Sequence, residues 1–116
     1  MKSKEYISLN KMIQYIDKAL EYIKNIDFEH FSNNEEKVFA TVFAISQIGE
    51  LVKNISNETM KKYDNIEWVV IKSLRNKIVH DYDGVKLNLI WDILNNDIME
   101  LKNDIKLILS ENKNEE

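Results

Sequence analysis

The sequence predicts an all-α fold, an antiparallel bundle of four to five helices that spans residues 1–116 as one domain. The 116-residue chain has no proline and two glycines, so it lacks the turn residues that a fold of many short strands needs. Its apolar residues instead recur at spacings of three and four, which is typical of amphipathic helices. The connections between these segments are short, and short connections favour antiparallel neighbours.

The first half of the chain predicts two helices. A single apolar stripe defines the first of them: Tyr6, Leu9, Ile13, Ile16, Leu20 and Ile23. The stripe lapses between Asp27 and Asn34, and Ser32 followed by Glu35 matches a capping box, so the second helix should begin there. Phe39 and Phe43 widen its apolar face, so this helix should be the most buried.

Gly49 lies inside the predicted second helix. A glycine there costs about 1 kcal/mol relative to alanine, and we interpret it as the point where another helix approaches closely.

The second half predicts two more long helices. One runs from Ile66 to about Tyr82, after a cap-like Asp64 and a short helix or turn between Ser56 and Tyr63. Its expected core side is formed by Val70, Ile71, Leu74, Ile78 and, if the helix continues that far, Val85. The last helix carries apolar residues from Leu87 to Ile108, and residues 110–116 are expected to fray.

Composition excludes several classes of protein. The chain has 16 basic and 20 acidic residues, so it should not bind nucleic acid through bulk charge. Without cysteine it has no disulfide, thiolate zinc site or cysteine nucleophile. No apolar stretch is long enough to cross a membrane and no signal peptide is visible, so we expect a cytoplasmic protein without membrane contact.

Arg75 is the only arginine among the 16 basic residues. Its planar fork can hold two phosphate oxygens at once, which lysine cannot do. Residues 53–86 contain seven basic and five acidic residues, so this region is positive within an acidic chain. Arg75 is therefore a candidate phosphate-binding residue.

Arg75, Asn76, His80 and Tyr82 fall on adjoining stripes of the predicted third helix. Histidine can transfer a proton near neutral pH, and tyrosine can stack on a base or donate its hydroxyl. A purely structural role fits the spacing equally well, with Arg75 paired to a carboxylate and His80 at the helix end. Trp68 lies on the Arg75 stripe. An aromatic residue at helical spacing is more often in the core or at an interface than a ligand platform, and the dimer interface is the place expected for Trp68.

The run from Arg75 to Tyr82, Arg-Asn-Lys-Ile-Val-His-Asp-Tyr, resembles the Arg-x4-His-x-Tyr signature of HepT-like proteins in the HEPN superfamily. Residues 44–50, Ala-Ile-Ser-Gln-Ile-Gly-Glu, are similar to the second-helix segment of that family. The resemblance extends from about Lys4 to Leu109.

The resemblance implies a two-fold dimer with both motifs in one cleft. It implies the toxin of a type VII toxin–antitoxin system, a metal-independent endoribonuclease without a cofactor. Arg75 and His80 would be catalytic, and Asn76 and Glu50 would support them. The implied partner is an MNT-type nucleotidyltransferase antitoxin that transfers AMP to Tyr82.

A dimeric helical module that only binds and regulates a nucleotidyltransferase remains the alternative. His80-Asp81 as a metal-binding dyad would need more histidines than the remaining His30. His30 itself is expected at the surface or at a helix end.

Overall fold

The computed structural model describes residues 1–80 and 87–112, apart from the side chains of Lys77, Val79 and His80. These residues form helices and no β-strand, which confirms the all-α prediction. In chain order the helices are α1 (Ser3–Tyr22), α2 (Phe28–Ser32), α3 (Glu35–Leu51), α4 (Asn57–Lys62), α5 (Trp68–His80), α6 (Leu87–Asp92) and α7 (Ile98–Asn112). Within this part of the chain there are more helical segments than the four or five predicted, because short helices occupy two connections and the last helix is divided.

The division of the last helix is a π-helical turn, Ile93–Asp97, which joins α6 directly to α7. A 3₁₀ turn, Val52–Asn54, similarly extends α3. None of the described helices is both long and apolar enough to span a membrane.

Helices α1 and α3 run antiparallel. Ser8, near the start of α1, accepts a 3.0 Å hydrogen bond from the Asn54 side chain beyond the end of α3. At the other end, Lys37 at the start of α3 donates a 2.9 Å hydrogen bond to the carbonyl oxygen of Tyr22. Early residues of one helix therefore meet late residues of the other, as the short connection predicts.

Helix α3 shares the core with both of its long neighbours. Its Ile48, together with Val52 of the 3₁₀ turn that extends it, belongs to a buried cluster that also contains Trp68 and Ile71 of α5. Its Ala44 and Ile45 belong to a second cluster with Ile78. Since later residues of α3 group with earlier residues of α5, these two helices are also antiparallel.

The predicted start of the second long helix is wrong. Ser32 ends α2, where its hydroxyl donates to the carbonyl oxygen of Glu29. The residue that caps α3 is Asn34, whose side chain accepts a 3.1 Å hydrogen bond from the Lys37 amide. Asparagine caps a helix as well as serine does, so the Ser32 pattern did not decide between the two positions.

Two predictions about which side chains are buried are wrong. Phe39 and Phe43 are 48% and 57% exposed, so they do not widen the buried face of α3, although a larger share of α3 is buried than of α1 or α7. On α5, Ile71 and Ile78 are buried as expected, but Val70 is 53% exposed. The apolar arc of each helix is wider than the surface that other described helices cover.

Trp68 and the chain end differ from expectation as well. Trp68 is buried, and its indole nitrogen donates a 3.1 Å hydrogen bond to the carbonyl oxygen of Tyr63, so it belongs to the core and not to an interface. Helix α7 continues through Ser110 to Asn112, and Asn112 is buried. The predicted fraying therefore does not begin at Ser110.

Candidate functional site

Gly49 is a point where the backbones of α3 and α5 approach closely. A Cβ atom added to Gly49 would lie 2.8 Å from the carbonyl oxygen of Ile71 and 3.0 Å from the amide nitrogen of Arg75. Both are backbone atoms, which cannot turn aside as a side chain can. The interpretation of Gly49 as a close helix approach is confirmed, and the contact places Arg75 beside the last turn of α3.

Glu50, the residue after Gly49, links the two helices through charge. Its Oε2 lies 3.5 Å from the Nε of Arg75, and its Oε1 accepts a 2.6 Å hydrogen bond from the Nζ of Lys53. The hydrogen bond and charge of Lys53, followed by the charge of Arg75, lower the pKa of Glu50 below its usual value. Glu50 therefore stays ionised and can hold Arg75 across the helix contact.

The Arg75 side chain is positioned without being enclosed. Its Nη1 donates a 3.1 Å hydrogen bond to Oδ1 of Asn76, while its Nε faces Glu50. Arginine has five N–H donors, and this side chain remains 42% exposed. The arrangement orients a guanidinium that an anion can still reach.

The structure thus brings together three of the five residues that the sequence singled out: Arg75, Asn76 and Glu50. His80 is the last residue of α5, about 7.5 Å along the helix axis from Arg75 at 1.5 Å per residue. The His80 side chain and the whole of Tyr82 lie outside the described residues. Their roles stay predictions.

Lys53 is a member of this cluster that sequence reasoning missed. It follows Glu50 by three residues in the turn that extends α3, and oppositely charged residues at that spacing are neighbours on a helix. The three-residue spacing of Glu50 and Lys53 was the sequence signal that could have identified Lys53.

His30 is a surface residue, as predicted. Its side chain is 76% exposed and lies 2.6 Å from the Asp27 carboxylate at the start of α2. This position is on a different helix from Arg75, and it adds nothing to the cluster.

Comparisons with known proteins agree with the resemblance seen in the sequence. The family model described as ribonuclease HepT-like matches residues 12–108. A protein named "Putative RNase TTE0752" from Caldanaerobacter subterraneus subsp. tengcongensis is 33% identical over 105 residues, which is 90% of this chain and 94% of the relative. "Probable ribonuclease HepT" from Thermococcus cleftensis is 32% identical over 94 residues, 81% of this chain and 86% of the relative.

No solved structure matches the chain at a significant level. The family match covers most of the chain, from α1 to α7, and includes the helix contact at Gly49 and the Arg75 cluster. On this evidence the chain belongs to the HepT-like ribonuclease family.

Proposed function

We propose that this chain is a metal-independent endoribonuclease, the toxin of a type VII HepT/MNT toxin–antitoxin system that acts in the cytoplasm. The observation that carries the proposal is the half-exposed Arg75, held by Glu50 and Asn76 on the helix that ends at His80. Membership of the HepT-like family supports the ribonuclease activity.

The proposed chemistry uses the nucleophile that RNA carries. The 2′-hydroxyl attacks the adjacent phosphorus after a base removes its proton, and an acid protonates the departing 5′-oxygen. His80 would serve as base or acid. Arg75 would stabilise the charge that develops on the phosphoryl oxygens, and Glu50 would keep its guanidinium aimed.

A homodimer completes this proposal. One chain supplies one His80, while the reaction needs both a base and an acid, and a two-fold pair would place two motifs in one cleft. On α5, Val69 and Val70 are 83% and 53% exposed. These side chains provide apolar surface on the motif helix that pairing would remove from water.

The proposed regulator is an MNT-type nucleotidyltransferase antitoxin. Transfer of AMP from ATP to the Tyr82 hydroxyl would release pyrophosphate and add a bulky phosphodiester near Arg75. The added negative charge would compete with RNA phosphate for the guanidinium, as other charge-changing modifications do. The modified toxin would be silent.

The activity is tested by incubating the purified protein with defined RNAs in the presence of EDTA. Wild type should produce fragments with 2′,3′-cyclic phosphate ends, and His80→Ala should not. Ser73→Ala is the matched control, because Ser73 is exposed on α5 and bonds only its own helix at the carbonyl of Val70. Equal cleavage by wild type and His80→Ala would exclude the proposed role of His80.

The regulation is tested by co-expression with a nucleotidyltransferase antitoxin. Mass spectrometry should find one or more added AMP groups on a peptide that contains Tyr82, and Tyr82→Phe should abolish the addition. An active partner that binds the chain without modifying it, together with a chain that cuts no RNA, would favour the non-catalytic module instead.

A further inference from the structure

Glu50 places a negative charge in a site proposed to bind RNA. Its carboxylate lies 3.5 Å from the Nε of Arg75, so these two side chains together carry no net charge. Binding of nucleic acid depends mainly on cations that neutralise phosphates, and the chain as a whole has a net charge of −4. Arg75 and Glu50 by themselves would therefore attract a strand of phosphates only weakly.

Lys53 makes this cluster cationic. Its Nζ lies 2.6 Å from Oε1 of Glu50, whereas Arg75 faces Oε2 of the same carboxylate. One anion thus meets two cations, and the three side chains carry a net positive charge. This charge lies at the surface between α3 and α5, because the side chains of Lys53, Glu50 and Arg75 are 60%, 39% and 42% exposed.

The turn that carries Lys53 is fixed on both sides of it. Val52 is fully buried in the core, and Asn54 donates a 3.0 Å hydrogen bond to the Ser8 hydroxyl of α1. Lys53 itself points away from the core, since its side chain is mostly exposed. The backbone at Lys53 is therefore held in place beside the Arg75 site.

The Lys53 ammonium can bind an anion while it remains beside Glu50. A lysine ammonium has three N–H donors, and Glu50 accepts one of them. An exposed ion pair of this kind also contributes little to stability. Lys53 can therefore share its donors with a phosphate, or turn towards one, without loss to the fold.

The distance between the two cations suits one strand of RNA. The nitrogens of Lys53 and Arg75 that face Glu50 are at most about 8.5 Å apart, since two C–O bonds of about 1.2 Å separate the carboxylate oxygens. Phosphates of one strand recur about every 3.4 Å along the axis of a stacked helix, and further apart in an extended strand. Both cations can thus reach phosphates of neighbouring nucleotides.

We propose that Lys53 binds the RNA phosphate next to the one that Arg75 holds, so that the two residues grip successive phosphates of a single strand. This inference rests on the proposed function and adds a second phosphate subsite to it. Lys53 would be a binding residue that places the strand, whereas Arg75 acts on the phosphate that is cut.

The competing role for Lys53 is an indirect one. Lys53 would then only hold Glu50, which in turn aims Arg75, and it would not touch RNA. The two roles differ in a double-mutant cycle with Glu50→Gln. A direct contact with phosphate predicts that Lys53→Ala still weakens binding when Glu50 is replaced, whereas an indirect role predicts that the effect disappears.

The test measures binding of a single-stranded 2′-O-methyl oligoribonucleotide to the full-length protein by fluorescence anisotropy. The methyl groups block the nucleophile, so the RNA is not cut. Each single-strand phosphate contact contributes about 0.7 to the slope of log K against log salt. Lys53→Ala should lower this slope by about 0.7 and weaken binding about fivefold in about 0.1 M salt, with the difference vanishing near 1 M.

Two variants serve as controls for this measurement. Lys53→Arg keeps the charge and should retain the wild-type slope. Lys106→Ala removes the same charge from an exposed position on α7 and should also bind like wild type. Equal melting temperatures of all variants show that folding is not the cause of a change.

A neutral linkage identifies the phosphate that Lys53 contacts. In a cleavable RNA the cut bond fixes the register, so one methylphosphonate can be placed beside the cleavage site. It should raise KM for wild type with little change in kcat, because the contact is made in the ground state and the transition state alike. The same linkage should leave the KM of Lys53→Ala unchanged.

Three results overturn the subsite. Wild-type affinity and salt dependence in Lys53→Ala would remove it while leaving the ribonuclease proposal intact. A Lys53→Ala effect that disappears in the Glu50→Gln background would assign Lys53 to positioning instead. Wild-type protein that neither binds nor cuts RNA would end both proposals.

Discussion

Two glutamates of this chain hold helices together in opposite ways. Glu5 is 4% exposed, and one of its oxygens accepts 2.7 Å hydrogen bonds from the Ser56 amide and from the Thr59 hydroxyl. Glu50 is partly exposed and meets the cations Lys53 and Arg75. The Glu5 contact is buried and uses uncharged hydrogen-bond donors, whereas the Glu50 contact is partly exposed and uses charged groups.

The two carboxyl groups are kept ionised for different reasons. Burial by itself would raise the pKa of Glu5, but hydrogen bonds from Ser56, Thr59 and Lys2 outweigh it and lower the pKa from 4.5 to about 2. Lys53 is the main cause of the lowered pKa of Glu50. The buried Glu5 contact stabilises the fold, whereas the exposed Glu50 contact leaves Arg75 accessible to a ligand.

The largest expected effect is on activity, at the Glu50 contact with Arg75. Arg75→Lys keeps the charge but loses the fork, so cleavage of RNA should fall by about 10²-fold or more, as on loss of one transition-state donor. The melting temperature should stay close to that of wild type, because the guanidinium is partly solvated. Lys72→Arg on the same helix is the control and should cut normally. A fully active Arg75→Lys would remove the bidentate role.

The next largest effect is expected on stability, at the buried Glu5 contact. Glu5→Gln should lower the free energy of unfolding by about 1–3 kcal/mol, since it weakens buried hydrogen bonds at the start of α1 and α4. Chemical denaturation measures this loss. RNA cleavage at a temperature where the variant is folded should be unchanged, and a selective loss of activity would contradict the assignment of Glu5 to the fold.

Glu5 also predicts a dependence on pH. Its folded-state pKa is lower than its unfolded value, so its stabilising contribution is present above about pH 4.5 and is lost as the pH falls toward 2. Wild type should therefore lose more stability than Glu5→Gln across this window. Parallel stability curves for the two proteins would exclude the linkage.

Gly49→Ala tests the close contact between α3 and α5 that brings Glu50 beside Arg75. The new Cβ would meet two backbone atoms of α5, and overpacking typically costs about 1–3 kcal/mol, partly offset by the higher helix propensity of alanine. We expect a net loss of about 1–2 kcal/mol in denaturant together with reduced cleavage. Ser73→Ala should change neither quantity, and a stabilised, fully active Gly49→Ala would mean that the contact is looser than described.

The smallest effect is expected for Glu50→Gln. The group is solvated, so stability should be unchanged within the error of denaturation, while kcat should fall less than in Arg75→Lys, because Arg75 is still present but less well aimed. Steady-state cleavage assays separate kcat from KM. A Glu50→Gln enzyme with unchanged kcat would show that Glu50 does not position Arg75.

The helices and their approach were predictable from local information. Apolar residues at spacings of three and four define α1, α3, α5 and the last helix, because the helical period alone places them on one face. Gly49 predicted a close contact since glycine is otherwise unfavourable inside a helix. The site was marked by the lone Arg75 and, above all, by the resemblance of the run from Arg75 to Tyr82 to a family motif. The parts that involve the His80 side chain and Tyr82 remain predictions.

What the sequence could not decide depends on which neighbours each side chain meets. Two residues fit the cap of α3 equally well, and only the position of α2 selects Asn34 over Ser32. Phe43 and Trp68 are both aromatic, yet one lies on the open side of α3 and the other inside the core. Lys53 joins the Arg75 cluster through Glu50. Periodicity determines the face of a helix on which a residue lies, whereas burial and ion pairing depend on the tertiary arrangement of distant segments, so the tertiary structure alone decided them.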